Sequence, residues 1–285
     1  MLDPGRTRNA VAPSILVLLA VCTGACVDIV ADDGGIVERV EHRFDAGDEP
    51  VIDVQTFDGR VSVATWSRPE VLIVVEKHAA DQEHADRMQV AATQEGTRIV
   101  LAVRQTGPRQ IGFKSGPFSA RLLVMAPPRS SLIALSGDGG IDVVDLEGDI
   151  DVRTGDGPIH VAEVSGAVSA QSGDGGIEIE GRLRNLRARS GDGGITVRAH
   201  EGSAVSDPWS IWTGDGSVML ELPSGFGAEL DAHTGDGRIR VSDIAFSGPS
   251  PELAKRSLRG RIGAGGSQVR IHTGDGSISV RGVSP

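Results

Sequence analysis

The stretch from Ser136 to Val197 repeats itself every 18 residues: SGDGGIDV, TGDGPIHV, SGDGGIEI and SGDGGITV place their Asp at 138, 156, 174 and 192. The unit returns at Asp215, Asp236 and Asp275, and in eroded form as TFDGRVSV at Asp58. A short fixed period permits few folds, because each unit is one supersecondary piece that buries its apolar face only against its neighbours. Around Asp174, Val168 and Ala170 stand six and four positions before it, and Ile177 and Ile179 three and five after it; the other copies repeat this pattern. Each flank alternates with period two, as a half-buried strand does, and the turn between them shifts the parity by one. The expectation is two short strands joined by a Gly-Asp-Gly corner, with Gly supplying positive φ and Asp accepting hydrogen bonds from nearby amides. A second corner falls half a period later, at Gly148, Gly166 and Asn185. Parallel stacking about 4.8 Å apart then gives an all-β fold: a single-stranded parallel β-helix (β-solenoid) with about 18 to 21 residues per coil and GDG corners. The Ser or Thr two positions before each Asp points inward and is expected to form hydroxyl ladders.

Composition agrees with a Gly-punctuated β protein: 39 Gly, six Phe, three Trp and no Tyr in 285 residues, 39% of them hydrophobic. The 28 basic residues are scattered among 39 acidic ones, for a net charge of −11, which argues against phosphate neutralisation and hence against nucleic acid as a partner. Residues 1–26 differ from the rest. Arg6 and Arg8 precede an apolar run from Ile15 to Val21, too short to span a bilayer and suited to an export signal. The run ends at Thr23-Gly24-Ala25-Cys26, which resembles a bacterial lipoprotein processing box with Thr23 in place of the usual Leu. Cleavage before Cys26 would discard Cys22 and leave one thiol, placed where a lipid would anchor the chain to a membrane. An ordinary secreted protein cut nearby, or a Cys22–Cys26 bridge, is the alternative.

Residues 27–43 read as a flexible tether and 44–283 as the repeat domain. Insertions are expected near 79–89 (a short surface helix), 106–118 (a loop), 199–207, and 243–259, where ELAKRSLR suggests a helical turn or two.

The repeated Asp invite a chemical reading. Stacked carboxylates about 5 Å apart would repel by roughly 1 to 3 kcal/mol per pair. Either each is tied to its own turn, or a cation such as Ca²⁺ sits along Asp138, Asp156, Asp174 and Asp192. Calcium-binding nonapeptide solenoids also use 18 residues per coil, but with GGxGxDxUx every nine residues, which the half-period segments LEGD, VSGA and LRNL lack. A polysaccharide-cleaving site needs a local cluster of acids and bases, whereas these acids recur with the fold. No catalytic residue is assigned. His233 and His272 share one repeat position and would be neighbours if the insertion between them loops out, though two His are too few for a zinc site. Trp209 and Trp212 have opposite parity, so Trp209 belongs in the core and Trp212 outside.

The [ST]GDGxI corners, the Pro127-Pro128 element before them and the closing GRIGAGGSQVRIHTGDGSISV are similar to a bacterial β-strand-repeat domain of unknown function that carries a candidate-adhesin label. The resemblance spans roughly Phe44 to Val283 and implies an exported, envelope-associated solenoid with no catalytic residues to carry over. The expected function is non-enzymatic: a surface protein presenting a rigid face to an envelope protein or glycan. A structural or regulatory envelope module without a ligand is the alternative, and a carbohydrate-active enzyme the third.

Overall fold

The computed structural model describes residues 27–32, 35–107 and 117–283. The leader, Cys26 and residues 108–116 of the expected loop lie outside them. Strands β1 (Val27–Asp32), β2 (Gly35–Asp45), β3 (Val51–Thr56), β4 (Val61–Thr65) and β5 (Glu70–Ala79) precede a short helix, α1 (Gln82–Asp86). Then follow β6 (Met88–Glu95), β7 (Arg98–Gln105), β8 (Phe118–Ala126), β9 (Ser131–Ser136), β10 (Ile141–Val144), β11 (Ile150–Thr154), β12 (Ile159–Ser172) and β13 (Ile177–Ser190). The all-β chain ends with β14 (Ile195–Ala199), β15 (Trp209–Thr213), β16 (Val218–Pro223), β17 (Ala228–Thr234), β18 (Ile239–Ser242), β19 (Phe246–Leu253), β20 (Ser257–Ile262), β21 (Gln268–Thr273) and β22 (Ile278–Val283).

Between Ser131 and Ala199 the layers stack in chain order. On one face Leu132 pairs in parallel with Ile150, Ile150 with Val168, and Val168 with Leu186. On the other, Ile141 pairs with Ile159, then Ile177, then Ile195. The alternating residues form one core: Val168, Ala170, Ile177 and Ile179 are at most 2% exposed. A further inward set, Leu146, Val164 and Leu183, closes the return side of the layers. It lies past a register shift between Val161 and Val164, and a period-two pattern cannot follow the chain through such a bulge.

The chain bends at each Gly-Asp-Gly, but not by way of positive φ. Only Gly59, in the eroded copy, has it, at 124°. The other flanking glycines are needed because successive layers approach backbone to backbone. A Cβ on Gly155 would lie 2.5 Å from the Gly137 carbonyl oxygen, and one on Gly214 2.5 Å from that of Gly191.

At both ends, spatial order departs from chain order. β3 and β4 are flanked by β9 and β10 on one side and by β7 and β8 on the other, so β7 and β8 form the outer parallel layer. At the far end β15 and β16 pair with β21 and β22, and β17 and β18 lie beyond those. The Asp275 unit therefore sits between the Asp215 and Asp236 units, and the 21-residue interval between the latter two is not a stacking step. Outer strands change to antiparallel partners: β6 on β7, β5 on β8, β20 on β17 and β19 on β20. A bare parallel edge would template further pairing, and these strands cover it.

Two expectations are corrected by these caps. The segment read as a tether contains β2, which pairs with β5 from Ile36↔Ala79 to Asp45↔Glu70 and itself accepts β1. Val40 and Phe44 face inward, and so does Glu38, whose carboxylate lies 2.8 Å from the Lys77 ammonium with both side chains 11% exposed. A charge at an inward position interrupts the apolar alternation, and its partner lies on another strand. The segment ELAKRSLR is not helical: β19 and β20 form an antiparallel pair that buries Leu258 and Ile262. Pairing with the edge of β17 outweighs the helix propensity of its residues. The expected surface helix is present as α1, where the Asp81 side chain accepts from the His84 N–H.

Candidate binding surface

The inward Ser and Thr are buried, but their hydroxyls do not bond to one another. Ser136, Ser172, Ser190, Thr213, Thr234 and Thr273 each bridge their own turn to the neighbouring layer, and Thr154 donates to the neighbouring layer. Ser172 Oγ accepts from Gly175 N–H at 3.0 Å and donates to the Gly157 carbonyl at 2.9 Å. Thr273 donates to Gly216 and Thr234 to Gly276, each at 2.7 Å, so the same clamp follows the exchanged order of the last layers. Hydroxyl-to-backbone bonding replaces the expected hydroxyl ladder because it satisfies corner groups that close stacking cuts off from water.

The repeated Asp stand outside this clamp. Asp138, Asp156, Asp174, Asp192, Asp215, Asp236 and Asp275 are exposed at the bends, one per layer, and Asp58 is half-buried. Burial, and then the charge of Asp138, holds the Asp58 carboxyl above its ordinary value, opposed by the Gly59 N–H. Asp236 pairs with Arg256 at 2.9 Å. Among the described residues no three carboxylates of this column converge. The one trio whose donor atoms lie within 4.8 Å of one another is Glu163, Glu180 and His200. Three donors is the smallest protein set of an open zinc site. Glu180 is already engaged, with His200 Nε2 at 3.1 Å and Arg198 at 3.6 Å. The 18-residue alignment does not bring this trio together, because the register shift in β12 carries Glu163 out of the period.

On the face formed by β10, β14 and β16, the outward column holds Asp142, His160, Glu178, Thr196 and Met219. A pattern that the linear alignment hides appears across columns. Arg198 hydrogen-bonds Glu178 and lies 3.7 Å from Glu221, which Arg281 also engages. The Arg198 hydrogen bond holds the Glu178 carboxyl below its ordinary range, and Glu178 in turn raises Arg198. The Arg198–Glu178 pair, exposed on both sides, contributes about 0–1 kcal/mol and chiefly orients the side chains, whereas Glu221 is buried between its two Arg partners.

The opposite face carries a stack of flat groups. Position three before the Asp is Arg189 on β13, Trp212 on β15, His272 on β21 and His233 on β17, paired in that order. The Arg189 guanidinium lies 4.1 Å from the Trp212 ring centroid. Trp212 and His272 stack at 6.5 Å and 15°, and His272 and His233 at 5.6 Å and 12°. The two His are thus neighbours, although the His272 layer is the inner one. Trp209 is fully buried against Phe226, with ring centroids 5.3 Å apart, and Trp212 is half-buried under its stacking partners. Arg189 was legible as a member of this column. The step from it to Trp212 is hidden because 23 residues separate the two where the period is otherwise 18.

Residues 130–281 match the model of the Toastrack DUF4097 family. Solved structures that match are distant. A candidate adhesin from Bacteroides fragilis is 12% identical, with a TM-score of 0.45 over 85% of this chain and 96% of that one. One from Parabacteroides distasonis is 13% identical, with 0.41 over 85% and 96%. A candidate cell adhesion protein from Clostridium sporogenes is 10% identical, with 0.36 over 91% and 99%. No curated protein matches the sequence.

Proposed function

The chain belongs to the Toastrack DUF4097 family, and on that footing we propose that it is a non-enzymatic protein of the bacterial cell envelope, exported and anchored by a lipid on Cys26. Its array is a single-stranded parallel β-helix whose GDG segments are the corners and whose sequential coils take 18 residues. The work of the array is to hold a rigid face toward a protein or glycan. One observation carries this reading: equivalent positions in successive layers bring residues far apart in sequence onto one evenly spaced surface, as with Arg189, Trp212, His272 and His233. Side chains set on paired strands are held in place before a ligand arrives, which lowers the ordering cost of binding.

The immobilised protein should capture a defined component from envelope extract or from a glycan array. Reproducible failure to capture either would favour a structural module without an external ligand. Turnover of acidic polysaccharide would favour an enzyme. In cells, a palmitate analogue should label the wild-type chain and not Cys26→Ala; equal labelling of the two would remove the anchor.

A further inference from the structure

We propose that the Arg189–Trp212–His272–His233 ladder, with Arg187 and Arg270 beside it, is a binding strip for a glycan chain that carries carboxylates, an inference that rests on the array being a binding face. The neighbouring outward column runs Arg187, Ser210, Arg270, Asp231 in the same spatial order. Arg187, Arg189 and Arg270 are all exposed. Elsewhere on this face Arg98 pairs with Asp53, Arg153 with Asp151 and Arg259 with Asp231. Among the described residues none of Arg187, Arg189 and Arg270 makes an ion pair; Arg189 rests on Trp212, and Arg270 donates to the Gln268 side chain at 2.7 Å. On a chain of net charge −11, three guanidinium groups without an acidic partner among the described residues, Arg187 and Arg189 on one strand and Arg270 two layers on past Ser210, form a local site for anions.

The two columns suit different parts of one ligand. Arg189 covers one face of Trp212 and His272 stacks toward the other, so the ladder offers a sugar its ring edges, with the indole N–H as donor and the imidazole nitrogens as donors or acceptors for hydroxyls. A guanidinium presents a planar fork that matches a carboxylate in two parallel hydrogen bonds. On the other side of the ladder, three residues further along the chain and at the bends, stand Asp192, Asp215, Asp275 and Asp236. They repel carboxylates and accept hydroxyl hydrogens. The strip is therefore polar across its width, with sugar carboxylates toward Arg187 and Arg270 and hydroxyls toward the corner. Arg187 also closes one end of a groove of about 410 Å³ that continues over Ser169, Ile133 and Val51 and is lined by Asp149 and Asp151 as well. Those two acids are paired with Arg184 and Arg153, so the track extends beyond the ladder along the stacking direction with its carboxylate contacts kept at the Arg187 end. That direction suits a linear chain rather than a single sugar.

Calorimetric titration of the full chain with polygalacturonate and with polysialate, each beside its carboxyl-reduced form, tests the assignment and distinguishes uronate from sialate as the source of the carboxylate. The expected result is binding of at least one acid, about tenfold weaker for the reduced polymer, weakening with added salt, and at least about tenfold weaker in Trp212→Ala. The double variant Arg187→Gln, Arg270→Gln alters only exposed side chains, so it should keep the wild-type melt and lose severalfold in affinity. Equal affinity for acid and reduced forms, unchanged affinity in both variants, or no binding of either acid overturns the strip. Envelope capture that survives Trp212→Ala overturns the strip and leaves the broader reading standing, whereas no capture by the wild type sinks both.

Discussion

The layers between Ser131 and Ala199 are laid down in chain order at 18-residue steps, whereas the first and last layers are laid down out of order and finished with antiparallel strands. In the middle every layer has a like neighbour on each side, so one repeated solution suffices. An end layer has no such neighbour, and it must offer its outer edge a different partner. Both ends solve this alike. The first parallel pair in the chain, β3 and β4, and the last, β21 and β22, are interior, and the outer layers come from chain-internal segments. At the far end β21 and β22 are thereby held on both sides, whereas β1, the first described strand, is an edge that pairs only with β2.

The sharpest test of this difference is deletion. Removing residues 159–176 from the middle joins Pro158 to Ile177 in register and should leave a cooperatively melting protein one layer shorter. Ending the chain after Ile262 removes Val269, Ile271, Ile278 and Val280, all at most 1% exposed. At roughly 1.5–3 kcal/mol each, that loss is about 6–12 kcal/mol, comparable with the whole stability of a domain. Equal melting of the two deletions would contradict the exchanged order.

The next effect belongs to the first cap. Lys77→Met leaves Glu38 buried without its partner and should cost about 3–5 kcal/mol in urea unfolding. A cost under about 1 kcal/mol would mean that β2 does not bury Glu38 in solution.

Within the middle, Gly175→Ala and Gly176→Ala should separate. A Cβ on Gly175 collides with the Gly157 carbonyl, whereas one on Gly176 meets only ordinary contact, 3.6 Å from the Gly194 carbonyl. Overpacking should destabilise the first by about 1–3 kcal/mol and leave the second within about 0.5 kcal/mol of wild type. Similar melting temperatures for both would remove close stacking as the reason for the corner glycines.

The smallest effect compares the eroded corner with a regular one. Because the folded state raises the Asp58 carboxyl, its proton is held more tightly than in the unfolded chain. The associated stability is present at low pH and is lost as pH rises through the folded value. Asp58→Asn should therefore be slightly more stable than wild type near neutral pH, with the gap closing below the ordinary carboxylate range, while Asp174→Asn, at an exposed corner, should stay within about 0.5 kcal/mol of wild type. A gap that widens on acidification would reverse the sign.

The alternation around each Asp was readable because every inward position of the array is apolar or a small hydroxyl, and the period of 18 returned as the stacking step. The caps were less readable. β2 hides a buried charge whose partner is on β5, and β20 owes its conformation to the edge of β17. Half of the candidate strip was visible as an aligned column, with His233, His272 and Trp212 already singled out. Its continuity with Arg187, Arg189 and Arg270 was not, since it depends on which layers touch.

By itself, then, the repeat determined the all-β class, the two-strand unit and the inward face of each strand, because period-two alternation is a local property of the chain. Tertiary structure decided the order of the layers at both ends, the reason for the corner glycines and the neighbours of Trp212. Those follow from backbone edges seeking partners across long separations, and a repeated Gly-Asp-Gly reads the same whichever layer it lies against.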